Sequence, residues 1–230
     1  MNSVALAAYK GEKYIAEQIN SILPQLGQND EIIVSDDAPG GETQKIVEGL
    51  SAADKRVKYI PGKGEGLIRN FQNALEHCSG DIIYLCDQDD VWLPGKVEKV
   101  TGAIENGALL VLHDCAETDS ELNVITPSYF SVRGSAKGFI KNYIKNSYMG
   151  CCMAFRKELL SRALPFPDKI PMHDQWLGLL AEKTGKTEFI YEPLIYHRVH
   201  GDNMTGGKTS AVSKLMWRAK LLACLLRKGV

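Results

Sequence analysis

The 230-residue sequence has no apolar run near the ~20 residues that a membrane-spanning helix needs. Its first ten residues carry no basic cluster ahead of an apolar stretch, so no secretory leader is expected. The expected location is cytoplasmic, at most peripheral on the inner face of a membrane. Low-complexity tracts are missing, which excludes a disordered tail, a collagen-like chain and a coiled coil. None of the six cysteines (Cys78, Cys86, Cys115, Cys151, Cys152 and Cys224) forms a Cys-x-x-Cys pair. A zinc site is therefore not expected, and reduced core thiols are the simplest reading. Net charge is also small, −1 from 27 basic and 28 acidic residues. Acids are missing altogether from 208–230, which holds Lys208, Lys214, Arg218, Lys220, Arg227 and Lys228. The rest of the chain is thus net acidic, a poor surface for nucleic acid.

What the chain has is an ordinary globular composition, 44% hydrophobic and 24% charged, and a regular alternation in its first half. Apolar runs at 3–9, 31–37, 57–60, 81–87 and 108–114 alternate with helical periodicity at 12–23, 42–50, 67–77 and 94–105. The runs are continuously apolar, the pattern of strands covered on both faces. The expected fold class is α/β, an open, twisted, mostly parallel sheet flanked by helices. The second half is less regular. Strands are expected at 149–156 and 188–196 and helices at 157–163 and 174–183. Leu164-Pro165-Phe166-Pro167 must be a loop, because two prolines break either element. Residues 201–207 read as a turn-rich loop and 210–227 as a helix.

Open parallel sheets bind ligands beyond the carboxyl ends of their strands. Four of the five runs end in polar or acidic residues: Ala8-Tyr9-Lys10, Asp36-Asp37, Asp87-Gln88-Asp89-Asp90 and His113-Asp114. Carboxylates gathered on one rim repel one another, and a divalent cation relieves the repulsion. Any one of them also makes a good helix cap or turn residue. The sharpest signal is Asp87-Gln88-Asp89. Its carboxylates, two residues apart, can converge where the chain leaves the strand, on a hard cation and a ribose hydroxyl. Such a cation would stabilise a departing diphosphate. The glycine and distal glutamate of an EF-hand are missing.

Ser3-Val-Ala-Leu-Ala-Ala-Tyr9, Glu12-Lys-Tyr-Ile-Ala-Glu-Gln-Ile19, Glu31-Ile-Ile-Val-Ser-Asp-Asp37 and Cys86-Asp-Gln-Asp-Asp-Val-Trp92 together resemble family 2 glycosyltransferases of the GT-A fold. The likeness is strongest to bacterial rhamnosyltransferase-like enzymes of polysaccharide assembly. Gly150-Cys-Cys-Met-Ala-Phe155, Leu164-Pro-Phe-Pro167, Met172-His-Asp-Gln-Trp176 and His197-Arg-Val-His-Gly-Asp-Asn203 extend it to about Gly206. The division expected is a GT-A domain over 1–207, with a nucleotide-binding half (1–114) and an acceptor half (115–207), then a basic amphipathic tail (208–230).

The resemblance implies an inverting, metal-dependent transfer of a sugar, with rhamnose a candidate. The donor would be a UDP- or dTDP-sugar and the acceptor a saccharide or lipid-linked sugar. On matching residues, Ala7, Ala8 and Tyr9 would hold the base, with Tyr9 stacked on it, and Asp37 would read the pyrimidine imide. Arg69 would approach the diphosphate. Asp87 would meet the ribose, with Gln88 in the same donor-binding turn. Asp89 would hold Mn²⁺ or Mg²⁺, His200 would complete the metal's shell, and Asp174 would be the catalytic base. Two departures stand out. A Gly-Ser-Thr-like turn is replaced by Ala38-Pro39-Gly40-Gly41, and a hydroxyl residue in the first strand motif is Ala8.

Plainer readings stand beside these. Tyr9 also fits a core aromatic at a strand end, and Asp174 fits an N-cap. His197 and His200 fit a structural pair, since the sequence shows no further N or S ligand for zinc near them. The tail fits either a helix packed on the body or one lying on anionic lipid with Trp217 at the headgroups. Two other function classes suit an acidic rim. One is a receiver-like metal-binding signalling domain, but here the acidic pair ends the second strand rather than the first. The other is a nucleotide- or glycan-binding module without turnover, from which a base at Asp174 would discriminate. A sugar-nucleotide-forming enzyme would want a Gly-rich, Arg-containing loop where Tyr9-Lys10-Gly11-Glu12 stands.

Overall fold

Strands sealed from water on both faces need partners on both edges, and the apolar runs find them in one sheet. The computed structural model describes residues 1–168, 170–199 and 211–229. The first half alternates β1 (Asn2–Ala8), α1 (Ile15–Ile22), β2 (Glu31–Asp36), α2 (Glu42–Ala53), β3 (Val57–Pro61), α3 (Leu67–His77) and β4 (Ile82–Asp87). Then come β5 (Val91–Trp92), α4 (Lys96–Glu105), β6 (Leu110–Thr118), β7 (Val124–Thr126), α5 (Tyr129–Arg133) and α6 (Phe139–Ile144). The remainder is β8 (Met153–Arg156), α7 (Leu160–Ala163), α8 (His173–Thr184), β9 (Thr187–Arg198) and α9 (Ala211–Arg227).

The sheet order is β3-β2-β1-β4-β8-β6-β9-β5, with β7 paired to β6. β1, β2, β3 and β4 pair in parallel, as do β6 and β9, and these ladders make up most of the sheet's length. β8 runs antiparallel between β4 and β6, so β4 and β6 point the same way and their carboxyl ends share one rim. β8 meets β4 only at Ile82–Tyr84. The chain reaches it through a 3-10 turn, Gly150–Cys152, so Leu85–Asp87 run on past their neighbour. The end of β4 thus lies on the rim beyond the paired part of the sheet, where open α/β sheets bind ligands.

The structure differs from the expectation in specific places. Residues 149–156 divide into the 3-10 turn and a four-residue strand. β6 continues through Asp114 to Thr118, with irregular register against β9 at His113 and Asp114. β5, β7, α5 and α6 were not expected; all are too short to show a period. The loop 201–207 and the candidate ligand His200 lie outside the described residues.

One apolar cluster spans both halves, and Trp176, Tyr84, Phe71 and Phe155 are among its largest members. All six cysteines are free and buried. α9 joins the body through Leu221, Cys224 and Leu225. Among the described residues no helix is long and apolar enough to cross a membrane.

Candidate active site

The end of β1 is fastened to the end of β4 by one side chain. Tyr9 donates its amide to Gln88 Oε1 at 2.8 Å, and Gln88 Nε2 returns a bond to the Tyr9 carbonyl at 3.1 Å. Gln88 thus imitates one further rung of a β ladder. A Cβ on Gly11 would sit 2.2 Å from Gln88 Oε1, so only glycine fits beneath the clamp. The Tyr9 ring, 56% exposed, stands over the rim rather than in the core, which removes the plainer reading of it.

Asn70 ties the same rim from below. Its buried amide donates to the Ala8 carbonyl at 2.9 Å and to the Ser35 carbonyl at 3.0 Å, and its oxygen accepts from the Ser35 hydroxyl. The carbonyl of Ala8 is occupied, and the side chains of Ala7 and Ala8 are buried.

Asp37 and Arg69 have intramolecular partners that the sequence did not show. The Asp37 carboxylate accepts from the amides of Gly64, Glu65 and Gly66, at 2.8, 3.3 and 2.7 Å. It shapes the loop after β3, whose amides have no ladder to satisfy them. Arg69 donates to the Phe166 carbonyl at 2.8 Å and to Gln72, and pairs with Asp168. Its guanidinium joins α3 to the proline loop, rather than standing free at a diphosphate. The proline loop offers carbonyls and an acid that a planar, multi-donor fork can hold at once.

The acidic turn after β4 gathers charge. Asp87 and Asp89 are half-buried and Asp90 is buried. Burial pushes the Asp87 carboxyl up to about 8, reinforced by the negative charges of Asp90 and Asp89 and opposed by His197. Asp90 is paired with His197 Nδ1 at 2.8 Å. Burial alone would lower the His197 pKa, but Asp90 and then Cys151 hold it well above the usual imidazole range. Arg198 donates to the Asp89 carbonyl at 2.9 Å and pairs with Glu17 at 2.6 Å, pinning the turn to α1.

Asp174 opens the facing wall. α8 begins one residue earlier than expected, at His173, and its N-cap is Met172, without a side-chain bond. Asp174 is therefore not the cap. Its Oδ1 accepts from the Gln175 amide at 2.5 Å and from Asn146 Nδ2 at 3.2 Å, while Oδ2 has no partner among the described residues. Burial raises its carboxyl to about 6, against those two hydrogen bonds and one from its own backbone amide. The helix start is held by Trp176 Nε1, which donates to the Ala163 carbonyl at 3.1 Å, and by Gln175 Nε2, which donates to the Asn142 carbonyl at 2.8 Å. His173 lies beneath, stacked on Phe71 at 4.2 Å with neither ring nitrogen bonded, and burial lowers its pKa to about 3. A Cβ on Gly150 would come 2.9 Å from His173 Nε2, so glycine lets the 3-10 turn close on α8.

The structure therefore brings Asp87, Gln88, Asp89, Tyr9 and the backbone of Ala7 and Ala8 to one rim. Asp174 is near enough for its charge to raise the Asp87 pKa. Asp114, expected on the same rim, is consumed locally: it accepts from Ser128 Oγ, the Phe130 amide and the Cys115 amide, and so starts α5. The carboxylate oxygens of Asp87 and Asp89 suit a hard dication, which would offset both the burial that raises the Asp87 carboxyl and the negative charges beside it. A second group was not legible. Asp90, Cys151 and His197 bring ligand atoms within 4.8 Å of one another. The sequence offered no sulfur near His197, because the partners come from positions 90 and 151. Asn70, Asn146 and Arg198 were missed as well; their partners are carbonyls and side chains far along the chain.

Residues 3–164 match the family described as Glycosyl transferase family 2. The chain is 30% identical over 190 residues to the GalNAc(5)-diNAcBac-PP-undecaprenol beta-1,3-glucosyltransferase of Campylobacter jejuni, covering 79% of this chain and 60% of that protein. It is 25% identical over 226 residues to the dTDP-rhamnosyl transferase RfbG of Shigella flexneri, covering 91% and 76%. Across the curated relatives, the matched part ranges from 32% of a Haemophilus influenzae protein to that 76%. Among solved structures, Staphylococcus aureus TarS 1–349 in complex with UDP-GlcNAc superposes with a TM-score of 0.76 at 17% identity, covering 98% of this chain and 66% of that one. The Pyrobaculum calidifontis mannosyltransferase PcManGT in complex with GDP-Man and Mn²⁺ gives 0.66 at 15%, covering 99% and 74%. These two establish the fold, a GT-A-like curled sheet flanked by helices. The family match spans most of the chain, including the acidic turn and the rim it faces, and on that ground the chain belongs to glycosyl transferase family 2.

Proposed function

We propose that the chain transfers a sugar, with inversion, from a pyrimidine nucleotide-diphosphate donor to a hydroxyl of a saccharide or lipid-linked acceptor. The observation that carries this is the Asp87-Gln88-Asp89 turn at the end of β4, clamped to the Tyr9 strand end, with the buried negative charge of Asp174 acting on Asp87. Asp174 Oδ2 takes the proton from the acceptor hydroxyl. The freed oxygen pair forms the new bond to the anomeric carbon, and the bond to the diphosphate oxygen breaks with its electrons leaving on that oxygen. A divalent cation such as Mn²⁺ or Mg²⁺, held by Asp89 beside Asp87, supplies charge stabilisation to that leaving group. His200 is the further ligand the resemblance implies.

Tyr9 offers a face for the base, held in place by Gln88. Asp37 acts through the loop it shapes; as a reader of the imide it would have to share oxygens that already accept three amides. Arg69 would have to leave Phe166 and Asp168 to reach a diphosphate. The relatives' names favour a UDP- or dTDP-sugar, rhamnose among them, and an acceptor on a lipid diphosphate in cell-surface polysaccharide synthesis. Within this reading residues 1–114 serve the donor, 115–207 serve the acceptor, and 208–230 contribute contact with the cytoplasmic face of a membrane.

The test is a melting-temperature panel of nucleotide sugars with and without Mn²⁺ or Mg²⁺. A ligand at ~100 times its dissociation constant adds about 2.7 kcal/mol. UDP- or dTDP-sugars should raise the melting temperature only with the metal, and Asp89→Ala should abolish the shift without changing the melting of the free protein. A metal-dependent shift that survives Asp89→Ala removes that residue from the site. GDP binding as tightly as UDP and dTDP removes the pyrimidine assignment.

A further inference from the structure

α9 is apolar on two sides. Leu221, Cys224 and Leu225 face the body and are buried. Leu215, Ala219, Leu222 and Leu226, spaced four, three and four apart, form a second stripe turned away from it. The three leucines are 67%, 42% and 65% exposed. A globular helix has one apolar stripe to bury, and the second has no partner among the described residues.

The stripe continues onto α6. Arg218 lies one turn from both Leu215 and Leu222 and donates from Nε and Nη2 to the Ile144 carbonyl, at 3.1 and 2.5 Å. Tyr143 donates its hydroxyl to the Arg218 carbonyl at 3.0 Å. The two helices are thereby fixed side by side. Ile140 and Ile144, one turn apart on α6, are 72% and 52% exposed.

Charge decides the occupant. Lys141 and Lys145 directly follow Ile140 and Ile144 on α6, Arg227 follows Leu226 on α9, and all three are exposed. The sequence holds no acid from 122 to 157 or from 203 to 230. A second copy docked face to face would press these cations against their own counterparts. A sheet of anionic headgroups over an apolar interior matches both parts of the surface.

We propose that α6 and α9 together form a docking face for an anionic lipid bilayer. This extends the tail contact of the proposed function to a second, internal helix, and it places the site relative to the membrane. Residues between and just after the exposed isoleucines hold the base: Asn146 donates to Asp174, and the Asn142 carbonyl receives Gln175. The docking face and Asp174 are thus joined through one short segment. An acceptor anchored in the bilayer would meet the base without leaving the surface.

Co-sedimentation with phosphatidylglycerol/phosphatidylcholine vesicles tests this with no donor or acceptor present. The protein should bind anionic vesicles and not pure phosphatidylcholine. Ile140→Glu/Ile144→Glu on α6 and Leu222→Glu/Leu226→Glu on α9 should each weaken binding. Lys141→Gln/Lys145→Gln should weaken it by roughly fivefold per cation removed. Melting temperature and the nucleotide-induced melting shift should stay as in the parent, which separates lost docking from lost folding or a failed donor site. Three results would overturn the proposal: equal binding to neutral vesicles, full binding by the α6 variants, or a concentration-dependent dimer that Leu222→Glu dissolves. The second would leave the tail acting alone.

Discussion

On the first-half rim, several polar side chains are spoken for. Asp37 serves three loop amides, Gln88 both backbone groups of Tyr9, and Asn70 two carbonyls and a hydroxyl. In β6, α8 and β9 the pattern reverses. Apart from Asp90 Oδ2, every buried side-chain nitrogen or oxygen without a partner among the described residues lies on His113, Thr118, His173 or Thr187. The second-half wall also keeps Asp174 Oδ2 open in a site that disfavours its charge. One wall is spent on holding a shape before any ligand arrives. Asp174 keeps a buried carboxylate whose charge its surroundings disfavour, as reactive sites commonly do.

The contrast breaks most visibly at Asp174. Asp174→Asn keeps the shape and removes the base, so the transfer rate should fall by on the order of a hundredfold or more with nucleotide binding retained. In the parent enzyme the rate should climb as pH rises through about 6, where the carboxyl ionises. A rate flat across that range would place the base elsewhere. Stability should move the opposite way. A carboxyl raised from 3.8 to about 6 leaves the fold at full strength below the lower value and weakens it as pH rises to the upper one. At neutral pH Asp174→Asn should therefore melt no lower than the parent, and up to about 3 kcal/mol of stability could be recovered. A lower melting temperature would make the residue structural.

On the opposite wall the effects should be on stability. Asn70→Ala strips donors from the Ala8 and Ser35 carbonyls in a buried setting, and should cost about 2–3 kcal/mol, read as a drop in denaturation midpoint. If that variant instead lost transfer activity at unchanged stability, the view of this wall as a prebuilt scaffold would fail. Gln88→Ala should be mildest, about 1 kcal/mol or less, because its bonds lie at the surface. Its effect should surface as weaker nucleotide binding through a loosened Tyr9, measurable by calorimetry.

The first half was legible because its signals are local. α3 was placed at 67–77 and the structure gives Leu67–His77; β2 ends one residue before the predicted Asp37. The identity of rim residues was legible too, since a parallel strand's end must face the rim. Which way each side chain turns was not, because that depends on groups far along the chain. Arg69 meets Phe166, and Asp37 meets 64–66. Asp114 was expected at a strand end, but a strand that bulges and continues to Thr118 turned it to Ser128 and Phe130. α6 escaped notice because its six residues are fixed by Arg218, more than seventy positions later.

β8 has a consequence for the order of assembly. Among the described residues, the ladders joining the sheet's two parts run through this four-residue strand alone, with three paired positions on either side. Until Met153–Arg156 has been synthesised, a growing chain carries β4 and β6 with bare facing edges and nothing to seat between them. Such edges invite pairing with foreign strands. A fragment ending before Met153 should therefore be prone to aggregate even though every β1–β4 contact it needs is within reach. Sound fragments of this protein have to include β8, and a graft that exchanges one half for another has to choose which half keeps it.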